Sequence, residues 1–202
     1  MKKYFFRSSS AVLLFFLLLT TGKISAQKKG FKINAPDHLN LQYAGGMGFI
    51  SIGAGYSAKN QKLEGDLYYG YLPKSVGGIR IHSISGKVTW IPIHSVSIKN
   101  YQVEPLMTGI IVNYSFGKQY FSFDPPNYPY RYYSFPTAIH SALFLGSRIG
   151  FNFPANTVVR RLTLYYEILS YDREIISFVS NTKSLQAGDI ITLSVGIRIG
   201  LE

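Results

Sequence analysis

His140 and Glu167 are the residues of this sequence whose types could perform acid–base chemistry as a pair. Both lie on the polar face of an alternating segment, and folding the two segments as a hairpin about residues 154–155 brings position 140 close to 167–169. A histidine held by a carboxylate is the general-base half of a serine-hydrolase arrangement. The His-x-Ser spacing that would supply the nucleophile is absent, because position 142 is alanine. The pattern therefore favours a structural pair, and we assign no catalytic residue.

Charged residues on the polar faces form a second group of candidates: Lys62, Glu64, Asp66, Lys87, Arg148, Arg161 and Arg198. The same hairpin places position 148 opposite 161, and the next hairpin places 161 opposite 198, so three arginines would share one layer of a closed sheet. Unpaired cations are costly where the dielectric constant is low. We therefore predict that the two acids neutralise the arginines, with the lysines at the edge, in a network that plugs the interior. This structural interpretation is preferred to an ion-binding site.

The segment 120–135, YFSFDPPNYPYRYYSF, has the composition of a binding loop. Rigid aromatic side chains lose little conformational entropy on contact, so such surfaces bind sugars or proteins well. The candidate binding residues are Tyr128, Tyr130, Arg131, Tyr132 and Tyr133. A self-packed cap over a barrel mouth, or part of an interfacial aromatic girdle, is the alternative.

No metal or cofactor is expected from the sequence. His38, His82 and His94 are too scattered to suggest a metal site, and the chain has no cysteine. The glycines of 45–48 lie in a strand with no helix to follow, which is not the context of a nucleotide-binding fingerprint.

Eight alternating segments must position these residues, and helical periodicity is almost absent. The segments span 38–45, 47–57, 62–72, 79–92, 105–117, 137–151, 159–171 and 188–201. Their polar faces contain glycine, serine and threonine with few charges, which suits a narrow interior better than a solvent-exposed surface. We therefore expect the apolar faces to point outward, with Arg198 inside. The alternative is a soluble β-barrel with Ile191, Leu193 and Val195 inside and Arg198 at the surface.

The N-terminal segment 1–26 has the features of a cleavable export signal. Basic residues precede the apolar run 11–19, and small residues end at Ala26. A membrane-spanning helix needs about 20 apolar residues, so the run is too short to be an anchor. Without Lys2, Lys3, Arg7 and Lys23, 17 basic residues stand against 10 acidic ones, and the formal charge falls from +11 to +7. Such a surplus suits phosphorylated lipid head groups or simple solubility better than nucleic acid.

The export signal, the alternating segments and the terminal strand Ile190–Leu201 resemble the small eight-stranded outer-membrane barrels of double-membrane bacteria, the OmpA/OmpX-like and PagL-like class. The resemblance implies an all-β, antiparallel, up-and-down transmembrane barrel over 38–202, after a short periplasmic segment 27–37. It further implies a monomer in the cell outer membrane, with lipid as its partner. Members usually end on an aromatic residue, whereas this chain ends Gly-Leu-Glu, so that Leu201 takes that place.

The expected role is non-enzymatic, in envelope integrity or in surface interaction through the loops 118–136 and 172–187. Within the second loop, 175–179 could be a short strand or one helical turn. Two alternatives stay open: a barrel hydrolase that deacylates outer-leaflet lipid using His140 and Glu167, and a soluble periplasmic barrel that binds an apolar ligand.

Overall fold

The structure is a computed structural model that describes residues 35–58, 61–121, 137–154, 158–180 and 186–201. The segment 1–26, predicted to be an export signal, and the five candidate binding residues between Tyr128 and Tyr133 lie outside the described residues. No helix among the described residues is long and apolar enough to cross a membrane.

Eight antiparallel strands form one closed sheet, which confirms the predicted all-β, up-and-down barrel. Neighbours in the chain are neighbours in the sheet, and the first and last strands pair from His38 opposite Gly200 to Ala44 opposite Ser194. Closure leaves none of these eight strands with a free edge. The strands are β1 (His38–Ala44), β2 (Ile50–Ser57), β3 (Leu63–Leu72), β4 (Ile81–Trp90), β6 (Tyr101–Phe116), β7 (Ile139–Asn152), β8 (Arg161–Tyr171) and β9 (Thr192–Gly200).

Three further elements and one short strand lie in the connections. Strand β5 (Val96–Ile98) pairs only with the start of β6. Helix α1 (Lys74–Gly77) follows β3, helix α2 (Asp172–Ser180) follows β8, and a 3-10 turn (Ala187–Ile190) precedes β9. We call the end of the barrel where β1 begins and β9 ends the terminal end, and the opposite end the distal end.

The outward faces are apolar and the inward faces polar around the whole ring. Leu67 and Leu193 are 63% and 58% exposed, whereas Gln42 and Glu167 are 0% and 1% exposed. The soluble-barrel alternative requires Leu193 inside and Arg198 at the surface. The structure shows the opposite, because Leu193 points outward and Arg198 is buried.

The interior also contains a cluster of large side chains. Tyr68, Phe144 and Tyr165 lie in it with Met107, Ile111 and other buried residues. An eight-stranded barrel has an interior that side chains can fill, and this one is filled by rings as well as by polar groups.

Two connections differ from the sequence-based expectation. The first turn spans five residues, 45–49, where only residue 46 was expected, and it contains Gly45 and Gly46 at φ of 80° and 71°. The expected long link 93–104 is mostly strand, because β5 and the first residues of β6 form a hairpin. Pro105, which has no N–H to donate, lies where the register between β6 and β7 shifts, and this break hid the start of β6. Of the two possibilities for 175–179, the helix is the one observed.

The expected registers of the last two hairpins are wrong by an even number of residues. Arg148 faces Tyr165 and Arg161 faces Asn152, where 148 was expected opposite 161. Arg198 faces Thr163, where 161 was expected. An even shift changes the depth of a side chain but not its face, so the arginines still lie on the interior side.

Candidate functional site

Glu64 joins three strands that are not neighbours in the sheet. Arg148 of β7 donates two hydrogen bonds to its carboxylate, Nη1 to Oε2 at 2.9 Å and Nη2 to Oε1 at 2.7 Å. Arg198 of β9 donates a third, Nη1 to Oε2, at 2.6 Å. All three side chains are buried. The paired forks of a guanidinium and a carboxylate give strong, directional bonds, so this contact connects opposite walls of the barrel.

Asp66, two residues along the same strand, binds side chains of β1. Its Oδ1 contacts His38 Nε2 and Asn40 Nδ2, each at 2.7 Å. Its Oδ2 lies 3.7 Å from Arg198 Nη2, and Arg198 Nε donates to Asn40 Oδ1 at 2.9 Å. Asp66, Glu64 and Arg198 therefore form one continuous network.

Glu104 completes the terminal side of the network, although it was not among the charged residues predicted to lie there. Its Oε2 accepts a hydrogen bond from Arg148 Nε, and its Oε1 lies 4.0 Å from Arg161 Nη1. The fifth predicted segment begins at residue 105, so the sequence-based prediction places Glu104 in the preceding link. The alternation of Gln102 and Glu104 before the proline is the signal that could have placed it in a strand.

A second ion pair lies deeper in the barrel. Lys87 Nζ donates to Glu167 Oε1, and both side chains are almost completely buried. Three aromatic rings surround the ammonium group, with centroids 4.6 Å (Phe144), 5.4 Å (Tyr165) and 5.7 Å (Tyr68) from Nζ. A desolvated cation gains energy from ring faces at such distances.

Four of the seven charged residues that the sequence singled out form one network in the structure: Glu64, Asp66, Arg148 and Arg198. Lys87 lies in the interior rather than at the edge. Arg161 lies at the margin, with a half-exposed side chain whose Nε donates to Asn152 Oδ1 at 2.6 Å. Lys62 is half-buried just before β3, where its carbonyl accepts a hydrogen bond from Ile91 N.

The expected pair of His140 and Glu167 does not form. Strand register places Glu167 opposite Gly146, six residues along β7 from His140, because the β7–β8 hairpin turns later than expected. His140 Nε2 instead contacts the Thr137 carbonyl at 3.1 Å, and Nδ1 lies 3.7 Å from Asp172 Oδ1. Neither contact is with a serine hydroxyl, which is what a general base would require.

His38, Glu64 and Asp66 could offer ligand atoms to a metal ion, since one atom of each lies within 4.8 Å of the others. The guanidinium of Arg198 already contacts both carboxylates and supplies the positive charge. This donor set is therefore already neutralised by a cation of the chain itself.

A polar cavity of about 280 Å³ lies at the terminal end, above the charged network. Its lining includes Glu64, Arg148 and Arg198 from the network and Arg160 and Arg161 from the start of β8. The cavity is thus the solvent-facing side of the same site.

Comparison with family models, curated proteins and solved structures gives no significant match.

Proposed function

We propose that the chain is a bacterial outer-membrane β-barrel with a plugged interior and a non-enzymatic role in envelope integrity or surface interaction. The observation that carries the proposal is the orientation of side chains around the closed sheet. Large apolar side chains such as Leu41, Leu67 and Leu145 point outward from every part of the ring at about half exposure or more, while acids, amides and arginines point inward. Water would penalise such a surface, whereas the hydrocarbon of a bilayer would not.

Aromatic side chains at both ends of the barrel support a membrane position. At the terminal end, the rings of Tyr101 and Phe151 lie 5.3 Å apart. At the distal end, Tyr43 and Phe49, like Tyr114 and Phe116, lie 5.0 Å apart. Two girdles of aromatic residues, one at each interface, are typical of transmembrane barrels.

The contents of the interior support a structural role rather than transport or catalysis. Glu64, Glu104 and Glu167 each bind a basic side chain, and three aromatic rings surround Lys87, the partner of Glu167. The contacts of His140 give the lipid-hydrolase alternative no support. Interaction with other molecules would then involve the distal connections, which include α2 and the segment 118–136.

Heat modifiability tests this proposal. The full-length chain is folded into phosphatidylcholine vesicles, and boiled and unboiled samples are compared by SDS electrophoresis. We expect the unboiled protein to migrate faster and to remain with the vesicles after a carbonate wash. A chain that folds in buffer without detergent, floats free of vesicles and shows no shift would contradict the membrane assignment.

A further inference from the structure

The cavity at the terminal end is lined by more guanidinium groups than the network can neutralise. Four arginines contribute to its wall: Arg148, Arg160, Arg161 and Arg198. The two inner ones, Arg148 and Arg198, donate to Glu64, and Arg148 also donates to Glu104. Their charges are therefore balanced by buried carboxylates in direct contact.

The two outer arginines are differently placed. Arg161 makes one side-chain hydrogen bond, through Nε to Asn152, and its nearest carboxylate oxygen is 4.0 Å away on Glu104, which Arg148 already occupies. Arg160 is exposed, and within the described residues no side-chain group bonds its guanidinium. The remaining acid in the wall, Asp37, accepts a hydrogen bond from Ser57 N through Oδ2 at 2.7 Å. Both outer arginines thus have N–H donors available to a ligand in the cavity.

We propose that this cavity binds a phosphate group, held by Arg161 at the wall and by Arg160 at the rim. The planar fork of an arginine matches two oxygens of a phosphate, and two neighbouring forks can grip it from different sides. Arg148 and Arg198 behind the site neutralise Glu64 and Glu104, which reduces the repulsion between those two carboxylates and the anion. The phosphate belongs to a small soluble ester or ion, or to a lipid head group that reaches the mouth from the bilayer interface. The site exists in the barrel whether or not the barrel spans a membrane.

Titration calorimetry of the full-length protein in a non-ionic detergent, with inorganic phosphate as the probe, tests the site. We expect saturable binding that weakens about tenfold or more in Arg161→Gln, since a charge-assisted hydrogen bond is lost. Arg160→Gln should weaken binding by a smaller factor, and Arg161→Lys should restore only part of it. The matched control is Arg80→Gln, which removes an exposed arginine at the distal end. Equal affinity in Arg161→Gln and wild type, or an equal loss in Arg80→Gln, overturns the proposal.

Vesicle binding separates the two sources of phosphate. The protein is reconstituted into phosphatidylcholine vesicles with or without phosphatidylglycerol, or it is titrated in non-ionic detergent with glycerol phosphate. Loss of phosphatidylglycerol preference in Arg161→Gln assigns the site to lipid, and loss of glycerol-phosphate affinity assigns it to soluble esters. Absence of all three interactions in wild type refutes the site. The heat shift on gels is recorded for every variant and verifies that each one folds. It also tests the membrane proposal separately, because a protein that binds phosphate without inserting into a membrane would refute only the membrane proposal.

Discussion

A few ionic contacts between residues that are distant in sequence connect the strands across the interior of the barrel. Lys87 and Glu167 are 80 positions apart, and Glu64 and Arg198 are 134 apart. The cost of removing a charged group from water is repaid in such pairs only when both partners are present. Their contribution should therefore appear most clearly when one partner is removed.

Lys87→Met should destabilise the barrel by about 3–5 kcal/mol, because Glu167 is left charged and buried without a partner. The double variant Lys87→Met/Glu167→Gln should recover a large part of this loss. Urea unfolding in lipid vesicles, followed by the gel shift, measures both. Lys118→Met removes an exposed lysine and serves as the control, with a change within about 0.5 kcal/mol. Equal stability of Lys87→Met and the control would show that the pair contributes nothing.

Within each strand, period-two alternation determines which side chains face the interior and which face outward. On β3, Glu64, Asp66 and Tyr68 are buried, and Leu63, Leu67 and Tyr69 are exposed. Much of the surface of the outward side chains contacts no other part of the protein. The surrounding medium, lipid or water, therefore determines the free energy of exposing them. A charge introduced there distinguishes lipid from water.

Leu67→Arg should reduce folding into vesicles by about 2–4 kcal/mol, as expected of a basic residue facing the bilayer midplane. Val76→Arg, on the exposed helix α1 at the distal end, is the matched control and should change little. The two wild-type residues are similarly exposed, at 63% and 57%. Unfolding of both variants in vesicles, followed by tryptophan fluorescence, gives the comparison. If both substitutions are tolerated equally, the face around Leu67 does not contact lipid.

The barrel is closed, and side chains fill much of its interior. Tyr68, Phe144 and Tyr165 are buried in the same cluster, and Lys87 lies among their rings. The cavity of about 280 Å³ is lined by residues of the terminal end. These features favour a plug over a water-filled passage.

The reconstituted protein should accordingly show no stable ion conductance in a planar lipid bilayer at physiological salt. Phe144→Gly, which empties the space beside Lys87, is the variant in which conductance steps would first be sought. Regular single-channel steps in the wild-type protein would mean that the interior side chains do not seal the barrel.

The number of barrel strands, their antiparallel order and the face on which each side chain lies could all be predicted from the sequence. Those properties follow from a period of two, because a register error of an even number of residues does not change the face of a side chain. The sequence also predicts that Glu64, Asp66, Arg148 and Arg198 belong to one interior network, because buried charges require partners.

Which charged partners meet could not be predicted from the sequence. Depth along the barrel depends on where each hairpin turns and on the bulge at Pro105, and these local details add up around a closed ring. For that reason Glu167 lies beside Lys87 instead of His140, and Glu104 joins the network from a segment that looked like a loop. The four-residue difference between the expected and observed β7–β8 registers leaves every face unchanged, yet it displaces a side chain along the strand by about 13 Å, more than the length of an ion pair.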